Sequence, residues 1–132
     1  MSKPKKGGES WKRIYIPVWD CDLFVCVGGY DWLVGNLKRA GVKNMNTFPK
    51  EDDIWDSATE ANTISGLGGA NCVVWFKENP SIDSLVHELA HATFDILKRK
   101  ECPADSCVQE PFAYLLGFLF KEARAAIWED KP

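Results

Sequence analysis

The chain has two histidines, and both fall in one short stretch, Val86-His87-Glu88-Leu89-Ala90-His91. On an α-helix, residues four apart lie one turn apart on the same face, so the two imidazoles can grip a single metal ion. Neutral imidazole suits zinc, and a catalytic zinc keeps one position open for a water whose pKa it lowers towards neutrality. Glu88 directly follows the first histidine, where its carboxylate can take the proton from that water. The residue types and their spacing point to metal-assisted hydrolysis. A plainer reading, a helix with two hydrogen-bonded histidines, gives no reason for the glutamate between them.

Two imidazoles leave zinc short of a ligand, because catalytic sites hold three protein ligands and a water. Glu110 is the leading candidate for the third. It opens the last predicted helix, and the loop before it allows that helix to turn back antiparallel to the first, with a carboxylate facing His91. Asp105, Asp95 and Cys107 compete with it. Asp95 lies one turn beyond His91 on roughly the same face, which suits a hydrogen-bond partner for an imidazole better than a metal ligand. Cys107 or Cys102 would make a softer, more closed site, although free loop thiols are the plainer reading of both.

Residues 87–91, HELAH, resemble the HExxH signature of zincin metallopeptidases, and Glu110 downstream resembles the glutamate ligand of the gluzincin branch. Glu110-Pro111-Phe112-Ala113 is also similar to the E-x-x-A that follows HExxH in small bacterial peptidases of the ImmA/IrrE kind. Compact phage-encoded HExxH proteins are similar in size and layout. The resemblance spans residues 65–121, and Pro111 directly after the glutamate departs from it. It implies a minimal zincin-like fold, one Zn2+ per chain held by His87, His91 and Glu110, and a peptide or protein as substrate. Glu88 is then the general base that passes its proton to the leaving amine. In zincins an edge strand beside the cleft pairs with extended substrate, a part expected here of Cys72–Phe76, with Trp75 on that strand able to line a pocket. Tyr114, four residues after Glu110, is expected to share its helical face and to donate a hydrogen bond to the developing oxyanion, with a core aromatic as the plain alternative. A different outcome of the same resemblance is a module of phage or mobile-element origin that binds zinc without turnover. A deformylase-like reading would use a cysteine ligand, and Cys72 follows a glycine-rich stretch. Its neighbours and its order relative to HELAH do not match that family.

The elements that must hold these groups are readable in outline. Ser81 is placed as the N-cap of the HELAH helix, with Asp83 in the first turn and Lys98-Arg99-Lys100 at the negative end. Leu85, Leu89, Ala92 and Ile96, flanked by Val86, Ala90 and Leu97, give this helix a broad apolar face. The last helix is predicted from about Gln109, with Pro111 in its first turn, to about Trp128. Upstream, residues 12–19 and 23–27 read as a β-hairpin turning at Asp20-Cys21-Asp22. Helical spacing follows from Tyr30 to Ala40, stopped by Gly41. A short helix is expected over 51–61, a turn or loop over 66–71, and a strand over Cys72–Phe76. The fold class is α+β: a small mixed or antiparallel sheet packed on two long helices that carry the metal between them.

At 132 residues the chain has the length of one domain, expected over residues 11–132, with a flexible basic tail over 1–10. A hydrophobic content of 45% argues for a folded globule, and a net charge of −3 argues against nucleic acid as a partner. The polar first ten residues contain no apolar signal segment, and no run approaches the ~18 apolar residues of a spanning helix. Five cysteines without a CxxC pair suggest reduced thiols, so no membrane association and a cytoplasmic location are expected. Cys21 and Cys26, five apart, should face opposite sides of an extended segment. The six tryptophans read as core anchors.

Overall fold

Two uninterrupted apolar runs, 23–27 and 72–76, become the centre of the sheet. Strands buried on both faces need apolar side chains at every position, whereas a strand with one wet face alternates. The computed structural model describes residues 3–4, 9–17, 20–43, 45–51, 61–65, 72–99 and 109–129. Its strands are β1 (Lys3–Pro4), β2 (Ser10–Ile16), β3 (Cys21–Val27), β4 (Ala61–Ser65), β5 (Cys72–Phe76) and β6 (Trp128–Glu129). Its helices are α1 (Tyr30–Arg39), α2 (Ile82–Arg99) and α3 (Gln109–Ile127), with a 3-10 turn at Met45–Thr47. The fold is α+β. β2, β3, β5 and β4 form a mixed sheet in that order, with β3 and β5 parallel and the two outer pairs antiparallel. Within the segment expected as a basic tail, Lys3 and Pro4 pair antiparallel with Glu129 and Trp128, and Ser10 opens β2.

Alternation along the strands sorts the side chains into two layers. Cys72, Val74 and Phe76 of β5 join Leu23, Val25 and Val27 of β3 against the buried faces of α2 and α3. Val73 and Trp75 turn the other way, with Phe24 and Cys26, into a layer closed by Leu33 and Leu37 of α1. Cys21 and Cys26 accordingly lie in opposite layers.

Local chemistry sets the helix ends. The Ser81 hydroxyl accepts the Ser84 N–H at 3.1 Å and the Ser81 carbonyl accepts the Leu85 N–H at 3.0 Å, so the serine caps α2 as its sequence predicts. Past α1, Val42 N–H reaches the Leu37 carbonyl and Gly41 N–H the Lys38 carbonyl, a Schellman pair that needs the positive φ of 83° at Gly41. The hairpin turns slightly earlier than its acidic residues suggest. Asp20 takes the left-handed conformation at φ 46°, and Cys21 and Asp22 already belong to β3.

β4 is the element that the sequence does not announce. The short helix expected over 51–61 falls largely outside the described residues; its first position, Glu51, is helical, and its last, Ala61, begins a strand. Among the described residues, no helix is long and apolar enough to cross a membrane.

Candidate metal centre

α2 presents its buried stripe, Leu85, Leu89, Ala92, Thr93, Ile96 and Leu97, to the sheet and α3. The opposite side of the helix carries His87 and His91, both exposed. Their Nε2 atoms stand 3.2 Å apart, with ring centroids at 4.8 Å and planes at 80°. Nitrogens bound to one tetrahedral zinc at ~2.0–2.1 Å stand about 3.3 Å from each other, so the donor pair fits a single ion without rearrangement. Without an ion the two nitrogens stand at hydrogen-bonding distance, one Nε2–H donating to the other; holding one ion through both Nε2 atoms would require both rings as Nδ1–H tautomers.

Glu88 sits differently. Its side chain is 12% exposed, against 68% for His87, because it lies over the flank of α2 that faces the sheet edge. One carboxylate oxygen, Oε1, accepts a hydrogen bond from the Thr63 hydroxyl of β4 at 2.7 Å. The other, Oε2, lies 3.9 Å from His87 Nε2. His87, Glu88 and His91 each bring one ligand atom within 4.8 Å of the others, the one such group among the described residues. The arrangement can hold a metal ion with a carboxylate beside it.

Comparison with protein-family models, with curated proteins and with solved structures returns no significant match. The metal group therefore stands on its own geometry.

The other predicted residues distribute unevenly around this group. Glu110 is the second residue of α3, but its side chain lies outside what the structure describes, as do Asp105, Cys102 and Cys107 entirely. α3 packs alongside α2, and the Phe94 and Phe112 rings meet at 4.9 Å, which brings the first turn of α3 next to the His91 end of α2. Asp95 is half-buried one turn past His91. Tyr114 is 76% exposed on α3.

Two expectations are overturned. β5 is flanked by β3 on one side and β4 on the other, so its backbone groups are engaged in ladders and cannot receive an extended substrate. β4 is the edge strand on the metal side. Trp75 is fully buried in the opposite layer, with its indole N–H donated to the Gly28 carbonyl at 2.7 Å, and lines no pocket near the histidines. Cys72 is buried in the layer under α2 and α3, where burial, with Asp95 adding to it, pushes its thiol up to about 12.

Thr63 is the residue that sequence reasoning missed. Its signal was indirect: the glycine-rich stretch 66–71, expected as a turn or loop and lying outside the described residues, precedes a strand and implies a partner strand on its other side. Nothing local marked the threonine, because its partner is 25 residues away.

Proposed function

We propose that this protein is a zinc-dependent peptidase of the zincin type, with His87, His91 and Glu110 as metal ligands and Glu88 as general base. The observation that carries the reading is the 3.2 Å approach of the two Nε2 atoms beside a largely buried carboxylate. A zinc ion held there would supply the Lewis acidity that activates a water and polarises a substrate carbonyl. Glu88 takes the proton on Oε2, the oxygen nearer the histidines, and delivers it to the leaving amine. The proximity of the first turn of α3 to the His91 end of α2 supports Glu110 as the third ligand. β4 replaces β5 as the strand that pairs with extended substrate, since it is the sheet edge adjoining α2 through Thr63 and Glu88. Tyr114 supplies an exposed phenol on α3 for the oxyanion.

The exposure of His87 favours a second reading, in which the same centre binds zinc on an open surface without turnover. One experiment separates the two. Wild-type protein and Glu88→Gln, both loaded with zinc, are incubated with a proteome-derived peptide mixture, and new termini are counted by mass spectrometry. The peptidase reading predicts new termini with wild type and a loss of about 10²–10⁴-fold in the variant. Equal cleavage by both proteins, or none by either at full zinc loading, would refute it.

A further inference from the structure

The carboxylate of Glu88 lies close enough to the two imidazoles to become a metal ligand itself. A carboxylate bound to the ion would no longer be available to accept a proton, so the site needs a reason for Glu88 to stay a base. We propose that Thr63 is a positioning residue that holds Glu88 off the metal and fixes which of its oxygens faces the histidines. This inference rests on the metal-hydrolase reading and adds to it the device that keeps base and ligands distinct.

The threonine hydroxyl has one proton and two acceptors in range, Glu88 Oε1 at 2.7 Å and the Glu88 carbonyl at 3.2 Å. The shorter, charge-assisted bond takes it. With Oε1 so engaged, Oε2 is the oxygen turned to His87, at 3.9 Å from its Nε2. A β-branched side chain has a stiff χ1, so the hydroxyl direction is set by the β4 backbone. Strand alternation secures the face. Ile64, next along β4, is buried in the aromatic layer, which turns Thr63 towards α2. Glutamate is long and rotamer-rich, and the hydrogen bond together with its near-complete burial removes that freedom at the position where it matters.

Cobalt(II), which takes up zinc sites and reports its ligands in the visible spectrum, is the probe. Wild type, Thr63→Val, Thr63→Ser and Glu88→Ala are each loaded with cobalt, alongside the double variant Thr63→Val/Glu88→Ala. Valine keeps the branched shape and the strand preference and removes only the hydroxyl. The inference predicts that Thr63→Val still binds one cobalt per chain but shows an altered d–d envelope as the released carboxylate moves onto the ion. Thr63→Ser should restore the wild-type spectrum. The double variant should match Glu88→Ala, because Thr63 acts only through Glu88. Any turnover found with the peptide mixture should fall about 10–100-fold in Thr63→Val and recover in Thr63→Ser. A Thr63→Val spectrum superimposable on wild type would overturn the inference while leaving the metal centre intact. Failure of wild type to bind cobalt at all would overturn the metal centre and this inference with it. Should Thr63→Val not fold, Thr63→Ala reports the same spectral comparison.

Discussion

The two sides of the sheet are built from different material. The layer under α1 is aromatic: Phe24, Phe48 and Trp75 are buried there, with Trp11, Tyr30 and Trp32 packed against them. Tyr30 lies 5.9 Å from Trp75, and Trp11 meets Phe24 at 5.3 Å and Trp32 edge-on at 6.3 Å. The layer under α2 and α3 is mainly aliphatic and holds its polar chemistry on the outer surface of α2. β3 and β5 serve both: β5 gives Trp75 to the first layer and Val74 to the second, and β3 gives Phe24 and Val25 in the same way. The difference teaches a division of labour. Large interlocking rings fix the sheet from one side, and the other side offers a smooth apolar seat on which α2 can rest while its exposed groups answer to chemistry alone.

That division makes graded predictions. The largest effect on stability belongs to the aromatic layer. Trp75→Ala removes the largest fully buried side chain and the bond to Gly28, and should cost about 3–5 kcal/mol in urea unfolding. A cost near that of a surface substitution would break the comparison. Gly28→Ala should cost about 1–3 kcal/mol, because a Cβ there would stand 2.6 Å from Trp32 Cε3 at a φ of +154°. Both variants should leave the metal affinity of the folded fraction unchanged.

Under α2 the expected effects at neutral pH are smaller, and that of Cys72 emerges only at alkaline pH. Cys72 ionises in the fold only at about 12, whereas an unfolded thiol does so near ~8.5. The native state therefore holds the proton longer than the unfolded one. Its contribution to stability is full below about pH 8.5 and declines as pH rises towards 12, by up to about 1.4 kcal/mol per unit. Urea midpoints across that range should show the decline, and Cys72→Ser should lessen it without abolishing it, because burial also pushes up the Cys26 thiol. The smallest effect is at the start of α2, where Ser81→Ala removes the cap and should cost about 1 kcal/mol without altering metal content.

What the sequence disclosed follows from how local each signal was. His87, Glu88 and His91 could be read because their relation is a helical spacing, and α2 could be placed because Ser81 caps it by a local bond. β3 and β5 were visible as apolar runs. β4 was not, because Ala61-Asn62-Thr63-Ile64-Ser65 has Ile64 as the buried apolar anchor among its described side chains and owes its strand state to pairing with β5. Missing β4 made β5 look like the edge, and Trp75 then looked like a pocket residue instead of a core one. Thr63 was illegible for the same reason: its bond to Glu88 exists only after the sheet edge and α2 have come together.

His87, Glu88 and His91 can hold a metal ion on the outer surface of α2, where the fold does not depend on it. The direct test is metal content by elemental mass spectrometry on chelator-free protein, wild type beside His87→Ala/His91→Ala, with unfolding measured on the metal-free forms of both. About one zinc per wild-type chain is expected, with none in the double variant and metal-free unfolding curves that agree within about 0.5 kcal/mol, since both histidines are exposed. Wild type that stays metal-free after zinc is added back, or a double variant that retains the same zinc, would contradict it.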